Sequence, residues 1–346
     1  MSTSSDTSAT SASSAPTSHK GRKAAKLIVL SMVMLNVAAF APAMILGALG
    51  WHDAVFVAML AGLAAFMACF MGSGWQTGLK VSLPFAVFTS LTVWAAPYAW
   101  AAAIVLGAAA FWRGYGARLG LHNALMMTVI ALGFIVTQPP TFEGTFSAPV
   151  IAGLVTLGSA LYVTLVMFVA RRWIHPPALT QLVTARVVAY SSILAVVIGG
   201  VTWCVIHFDL GHAGSWIILT ILVVFQPYLG TSFRKAGQRI LGTGLGFILA
   251  MIIGLFVSSG PILYVLGVLL FMVAGSCMML GKPYWTFVVF LTPAVVLFTS
   301  VGSTVDKTAV LRLEATSVGV LIAFLVMLAL APLAKHLQSE LGAPKL

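Results

Sequence analysis

Two short strings in the C-terminal half put chemically capable residues into an otherwise apolar chain. The first runs Arg239-x-x-Gly242-Thr243-x-x-Gly246-x-x-x-Ala250, the second Arg312-x-x-Ala315-Thr316-x-x-Gly319-x-x-x-Ala323. Matching positions are all 73 residues apart. A guanidinium can bind a carboxylate through paired, charge-assisted hydrogen bonds. Arg239 and Arg312 are therefore candidate anion ligands, and Arg234 joins them from the basic stretch Arg234, Lys235, Arg239. That stretch is expected to precede a glycine-rich helix, whose N-terminus would add its own attraction for an anion. The plainer reading of Arg234, Lys235 and Arg239 is anchoring at the inner membrane surface, and that of Arg312 is snorkelling outward.

Glu314 is the only carboxylate inside a long apolar run. Ionisable groups at membrane depth are costly and commonly functional, so it is the candidate for proton coupling. The alternative is that it neutralises Arg312 or Lys307. Thr220, Gln226, Thr243, Thr316, Trp216 and Trp285 are candidate path-lining residues. For Thr220 the competing role is a back-bond to its own helix, and for the tryptophans an interfacial belt.

Other chemistries find no support. Cys69, Cys204 and Cys277 stand far apart, with no C-x-x-C pair. The acids are scattered singly, without a D-x-x-D or a histidine cluster, which argues against metal-assisted or acid-base catalysis. No G-x-x-x-x-G-K-[ST] string occurs. The expectation is a protein that is not an enzyme, with no catalytic residue, metal site or cofactor and no nucleotide-driven pumping.

The elements that must position these residues follow from composition. Of 346 residues, 60% are apolar and 7% charged, and the mean hydropathy is +1.07. A soluble surface needs roughly 25% charged residues, so most of the chain must face lipid or other helices. The expected fold is an all-α polytopic transmembrane bundle. Its spans are 27–49, 54–71, 79–96, 98–112, 122–138, 148–170, 187–208, 215–229, 240–257, 262–280, 284–300 and 310–334. Residues 1–25 read as a disordered, basic-ended cytoplasmic tail rich in Ser, Thr and Ala. A first six-helix half covers 26–170, a cytoplasmic linker 171–186, a second six-helix half 187–335, and a short cytoplasmic tail 336–346. The first apolar run is longer than a signal-peptide core and carries Pro42 near its small residues, so a retained helix is expected.

With the N-terminus inside, every lysine and arginine except Lys307 and Arg312 falls on or near the inner side. Asp53, Glu143, Asp209 and Asp306 fall outside. The net charge of +11 is thus explained by topology rather than by nucleic acid. The repeated strings lie on the ninth and twelfth spans, which run in opposite directions. That arrangement is what an inverted 3+3 repeat in the second half would produce, and such repeats are common in secondary transporters.

The stretch 214–334 resembles the fusaric-acid-resistance family of bacterial inner-membrane proteins, which includes the aromatic acid exporters. The resemblance rests on Trp216, Thr220, Gln226-Pro227, the Arg239 string, the span YWTFVVFLTPAVVLF (284–298) and the Arg312-x-Glu314-x-Thr316 string. It implies proton-motive-force-dependent efflux of small organic, particularly aromatic carboxylic, acids across the bacterial inner membrane. It also implies a periplasmic adaptor (membrane fusion protein) and an outer-membrane channel as partners, with a homo-oligomer in view. Larger members carry a sizeable cytosolic domain between the halves, whereas this chain has only the 171–186 linker, like a compact membrane-only branch. The alternative function is a passive organic-anion channel, since plant malate channels look distantly similar in their six-helix architecture. Both termini are expected in the cytoplasm. Reporter fusions should therefore read outside at Glu143 and Asp209 and inside at Arg118 and Arg172; any one reversed removes the twelve-span topology.

Overall fold

The computed structural model describes residues 37–142, 147–172, 179, 181, 184–226, 229–280, 282–299 and 305–340. These residues form twelve α-helices and no strand. They are α1 (Val37–Ala48), α2 (His52–Met71), α3 (Trp75–Ala95), α4 (Ala99–Tyr115), α5 (Met126–Thr137) and α6 (Ala148–Val169). The second half continues with α7 (Thr184–His207), α8 (Gly211–Val224), α9 (Leu229–Phe256), α10 (Gly260–Met279), α11 (Tyr284–Thr299) and α12 (Val305–Glu340). The expected tail at 1–25, most of the 171–186 linker, Glu143 and residues 341–346 lie outside the described residues.

α2, α3, α6, α7, α9 and α12 are each long and apolar enough to cross a membrane. Their surfaces have the pattern that a lipid solvent demands. On α3, Leu83, Val87, Leu91 and Trp94 are exposed, while Val81, Phe85, Thr89 and Thr92 on the opposite side are buried. Outward apolar rows of this kind would be unstable in water and are ordinary in hydrocarbon. The protein is a multi-pass membrane protein.

The shorter helices α5 and α8 occupy the centre. Almost every residue of α5 from Thr128 to Val136 is buried, as is all of α8 from Gly214 to Val224. Their ends are tied together: the hydroxyls of Thr137 and Ser215 are hydrogen-bonded, and Gln138 Nε2 lies 2.7 Å from His212 Nδ1. One apolar core runs through both halves, from Ala61 and Leu106 to Ile198, Ile218 and Ala323. α4 lies along α7 where Gly107 and Gly199 face each other, because no side chain stands between them.

Several helix boundaries differ from the sequence expectation, α12 for instance running from Val305 to Glu340, and the one between α8 and α9 matters for function. α8 ends at Val224, since Pro227 disfavours helical geometry at Gln226. Instead the Gln226 amide N–H donates to Ser232 Oγ at 2.9 Å. α9 then begins at Leu229 rather than at 240. Arg234, Lys235 and Arg239 are consequently residues of α9 and not of a loop before it. Arg, Lys and Gln are good helix formers, so the helix continues through a stretch whose charge hides it from hydropathy. Arg239 is ten residues inside, so the expected help from a helix N-terminus is absent.

Close approach in the second half depends on glycine. A Cβ on Gly246 of α9 would stand 2.6 Å from Thr292 Cβ of α11. One on Gly242 would stand 2.7 Å from Val288 Cβ. One on Gly319 of α12 would stand 2.8 Å from Thr220 Cβ of α8. Gly244, on another face of α9, meets nothing within 4 Å. Overpacking a tight interface costs about 1–3 kcal/mol, whereas Gly→Ala in an open helical position gains up to about 1 kcal/mol. Thermal unfolding in detergent should therefore show Gly246→Ala melting lower than wild type, with Gly244→Ala equal or higher; equal melting of the two would remove the close-packing account.

Candidate anion site

The site grows from four helices that pack as two parallel pairs, α9 with α11 and α8 with α12. On α9 and α12 the repeated string places arginine, threonine and glycine at i, i+4 and i+7, on one face. The glycine lets the neighbouring helix come close, and the arginine and threonine are then enclosed. Arg239 and Arg312 are each 1% exposed, and Thr220, Thr243, Thr292 and Thr316 are buried as well.

The two guanidiniums are held differently. Arg239 Nη1 donates to the Tyr284 hydroxyl at 3.2 Å, at the start of α11. Arg312 lies over Trp216 of α8, its Cζ 4.1 Å from the ring centroid, a cation–π contact. Trp216 meets Phe134 of α5 edge-on, with centroids 4.9 Å apart. α12 packs against α9 as well as α8 and also touches α11, so the helices that carry Arg312, Arg239 and Tyr284 all meet one another. Tyr284 was not among the expected site residues; from sequence it is one more aromatic at a helix end.

Most of the hydrogen-bonding capacity here has no partner in the protein. That is true of Arg239 Nε and Nη2 and of Arg312 Nε, Nη1 and Nη2. It is also true of the hydroxyls of Thr220, Thr243, Thr292 and Thr316. The back-bond considered for Thr220 is thus not made, although Ser82, Thr164 and Ser191 elsewhere do bond the carbonyl four residues earlier. More than nine-tenths of buried polar groups in proteins find a partner. So many donors without one, around two cations, are a chemistry suited to an anion.

No described carboxylate neutralises the pair. The described side chains include three, Asp53, Asp209 and Glu314, and all three are exposed. Glu314 is two residues from Arg312, which on a helix places it on nearly the opposite face. It is not the partly buried counter-charge that the sequence suggested. Arg234 is also exposed, pointing away from the face that holds Arg239. Gln226 is buried but spends its amide on the Val223 carbonyl at 2.9 Å. Trp285 is half-buried and contributes its backbone carbonyl to the Gly242 contact. The structure thus gathers Arg239, Arg312, Thr220, Thr243, Thr316 and Trp216, adds Tyr284 and Thr292, and leaves Arg234 and Glu314 outside.

No curated protein and no solved structure matches the chain. Residues 194–326, which hold α8 to α11 and most of α7 and α12, match the model of the fusaric acid resistance protein-like family, the one their motifs resemble.

Proposed function

We propose that the protein exports small organic acids as anions, and that the carboxylate binds between Arg239 and Arg312. The observation that carries this reading is the burial of two neighbouring guanidiniums with no carboxylate beside them among the described residues. An uncompensated charge in such a site costs about 3–5 kcal/mol, and a substrate carboxylate would remove that cost when it arrives. Tyr284 and Trp216 hold the two guanidiniums apart and oriented, so less ordering is left to substrate binding. Trp216 gives one ring face to Arg312, so its part is to orient that cation rather than to stack a substrate ring. The family description names an organic acid, which agrees with the chemistry of the pair. The reciprocal contacts of Gly246 with Thr292 and Gly319 with Thr220 support the inverted repeat, with the anion site at its centre. Efflux across a bacterial inner membrane, handing substrate to a periplasmic adaptor and outer-membrane channel, belongs to the same proposal.

Hydrogen bonds to charged groups contribute about 1.5–3 kcal/mol, and each 1.4 kcal/mol is tenfold. In inverted vesicles, Arg239→Gln and Arg312→Gln should each lower benzoate uptake by at least about tenfold at wild-type protein levels. Arg239→Lys should keep part of it, because charge survives while the fork geometry does not. Tyr284→Phe should fall between. Wild-type uptake in both glutamine variants would overturn the anion site.

Proton coupling is assigned to Glu314, the one described carboxylate inside an apolar span, exposed on α12 away from Arg312. Glu314→Gln should abolish accumulation driven by a proton gradient while counterflow exchange of benzoate survives. Gradient-driven accumulation at the wild-type level would remove this assignment and leave the anion site standing.

A further inference from the structure

Of the three fully buried arginines among the described residues, Arg312 is the least tethered. Arg239 bonds the Tyr284 hydroxyl, and Arg113 of α4 donates from Nε to the His122 carbonyl at 3.2 Å. All three guanidinium nitrogens of Arg312 lack a hydrogen-bond partner in the protein. Its hold is the Trp216 ring, whose centroid is 4.1 Å from Cζ. A cation–π contact is only as well placed as the ring that makes it. Where Trp216 stands therefore decides where the Arg312 nitrogens stand.

What places Trp216 comes from the first half of the chain. α5 packs on α8, and residue numbers rise on one helix as they fall on the other, so the two are antiparallel. Gln138 Nε2 lies 2.7 Å from His212 Nδ1 at one end of the seam, followed by the bonded hydroxyls of Thr137 and Ser215. Next, the rings of Phe134 and Trp216 meet with centroids 4.9 Å apart and planes at 82°. Beyond them, a Cβ on Gly133 would stand 2.9 Å from Ile218 Cγ2. Trp216 thus lies between Ser215 and Ile218, both held against α5. On another side α12 is fastened to α8 two turns beyond Arg312, where a Cβ on Gly319 would stand 2.8 Å from Thr220 Cβ. With the α8 backbone held on two sides, the freedom left to the indole is in its own torsions. A perpendicular ring contact removes that freedom, because turning the indole would lose the edge-to-face geometry. α5 lies outside residues 194–326, so neither the family match nor the repeated strings give it a part in the site.

We infer that Phe134 is a positioning residue for the anion site: its ring fixes Trp216, and through Trp216 the Arg312 guanidinium. The first half of the chain thereby sets the geometry in which the carboxylate is met. This rests on the reading of Arg239 and Arg312 as an anion site. Leucine is apolar and bulky but has no ring edge, so Phe134→Leu frees the indole while keeping much of the packing. A freed guanidinium must be ordered when the anion binds, which weakens binding without removing the charge.

The test joins two readouts on the full chain in lipid nanodiscs. Titration calorimetry gives the benzoate dissociation constant. NMR of ¹⁵N-arginine protein gives the ring-current shift of the Arg312 Hε signal, identified by its loss in Arg312→Gln. Phe134→Leu should raise the dissociation constant about fivefold, the range of an edge-to-face pair. Phe134→Tyr, which keeps the ring, should stay within about twofold of wild type. Added to Trp216→Leu, Phe134→Leu should change affinity by less than about twofold, since the ring it fixed is gone. The Hε signal should move in Phe134→Leu toward its place in Trp216→Leu. It should stay in Ile135→Val, which thins the side of α5 packed on Val93 and Ala152. Phe134→Met carries the test should Phe134→Leu not fold. Wild-type affinity or an unmoved Arg312 signal in Phe134→Leu, or an undiminished loss in the Trp216→Leu background, overturns the positioning role and leaves the central site standing. Wild-type affinity in Arg312→Gln fails the central reading itself and takes the positioning role with it.

Discussion

Burying a guanidinium is expensive, and this chain does it three times with no buried carboxylate among its described side chains. Arginine cannot escape the cost by losing its proton. In a soluble protein such groups would be paired at once, and in a membrane bundle the pressure to pair is greater. The rest of the architecture can be understood as what keeps these charges in place, with Arg239 and Arg312 left for an anion to complete. A cation–π contact to Trp216, a tyrosine hydroxyl on Arg239 and a backbone carbonyl on Arg113 each satisfy part of one guanidinium and leave the remainder facing inward.

Close helix packing makes that possible. Gly242, Gly246 and Gly319 bring α9 against α11 and α12 against α8 at distances that a methyl group would not permit. Without those approaches the arginines one and two turns earlier would have room to reach the membrane surface, as long basic side chains readily do. Glycine at i+7 and arginine at i therefore act together. The largely buried α5 and α8 form a floor, with Phe134 behind Trp216 and the Thr137–Ser215 contact joining their ends.

Much of this was legible in the sequence. Helix number and class follow from the runs of apolar residues, because a bilayer accepts little else. Arg239, Arg312, Thr243 and Thr316 were legible as a repeated string, and periodicity puts them on one face. Other features were hidden for physical reasons. Charge at Arg234, Lys235 and Arg239 lowers hydropathy without breaking a helix, so the start of α9 was displaced by eleven residues. Glu314 looked like a buried group because its neighbours in sequence are apolar, yet helical rotation between positions 312 and 314 turns it outward. Tyr284 belongs to the site only through a tertiary contact, from a helix end where an aromatic residue has an ordinary explanation. No local pattern separates those two roles.

In the proposed site a carboxylate sits between the Arg239 and Arg312 guanidiniums. Solid-state NMR reads it most directly, with ¹³C-carboxyl benzoate bound to protein whose arginine guanidiniums are ¹⁵N-labelled, in lipid. Dipolar contacts from the carboxyl carbon to guanidinium nitrogens are expected, and those contacts must weaken in both Arg239→Gln and Arg312→Gln. Contacts that persist unchanged in both variants, or bound benzoate with no guanidinium contact, would contradict it.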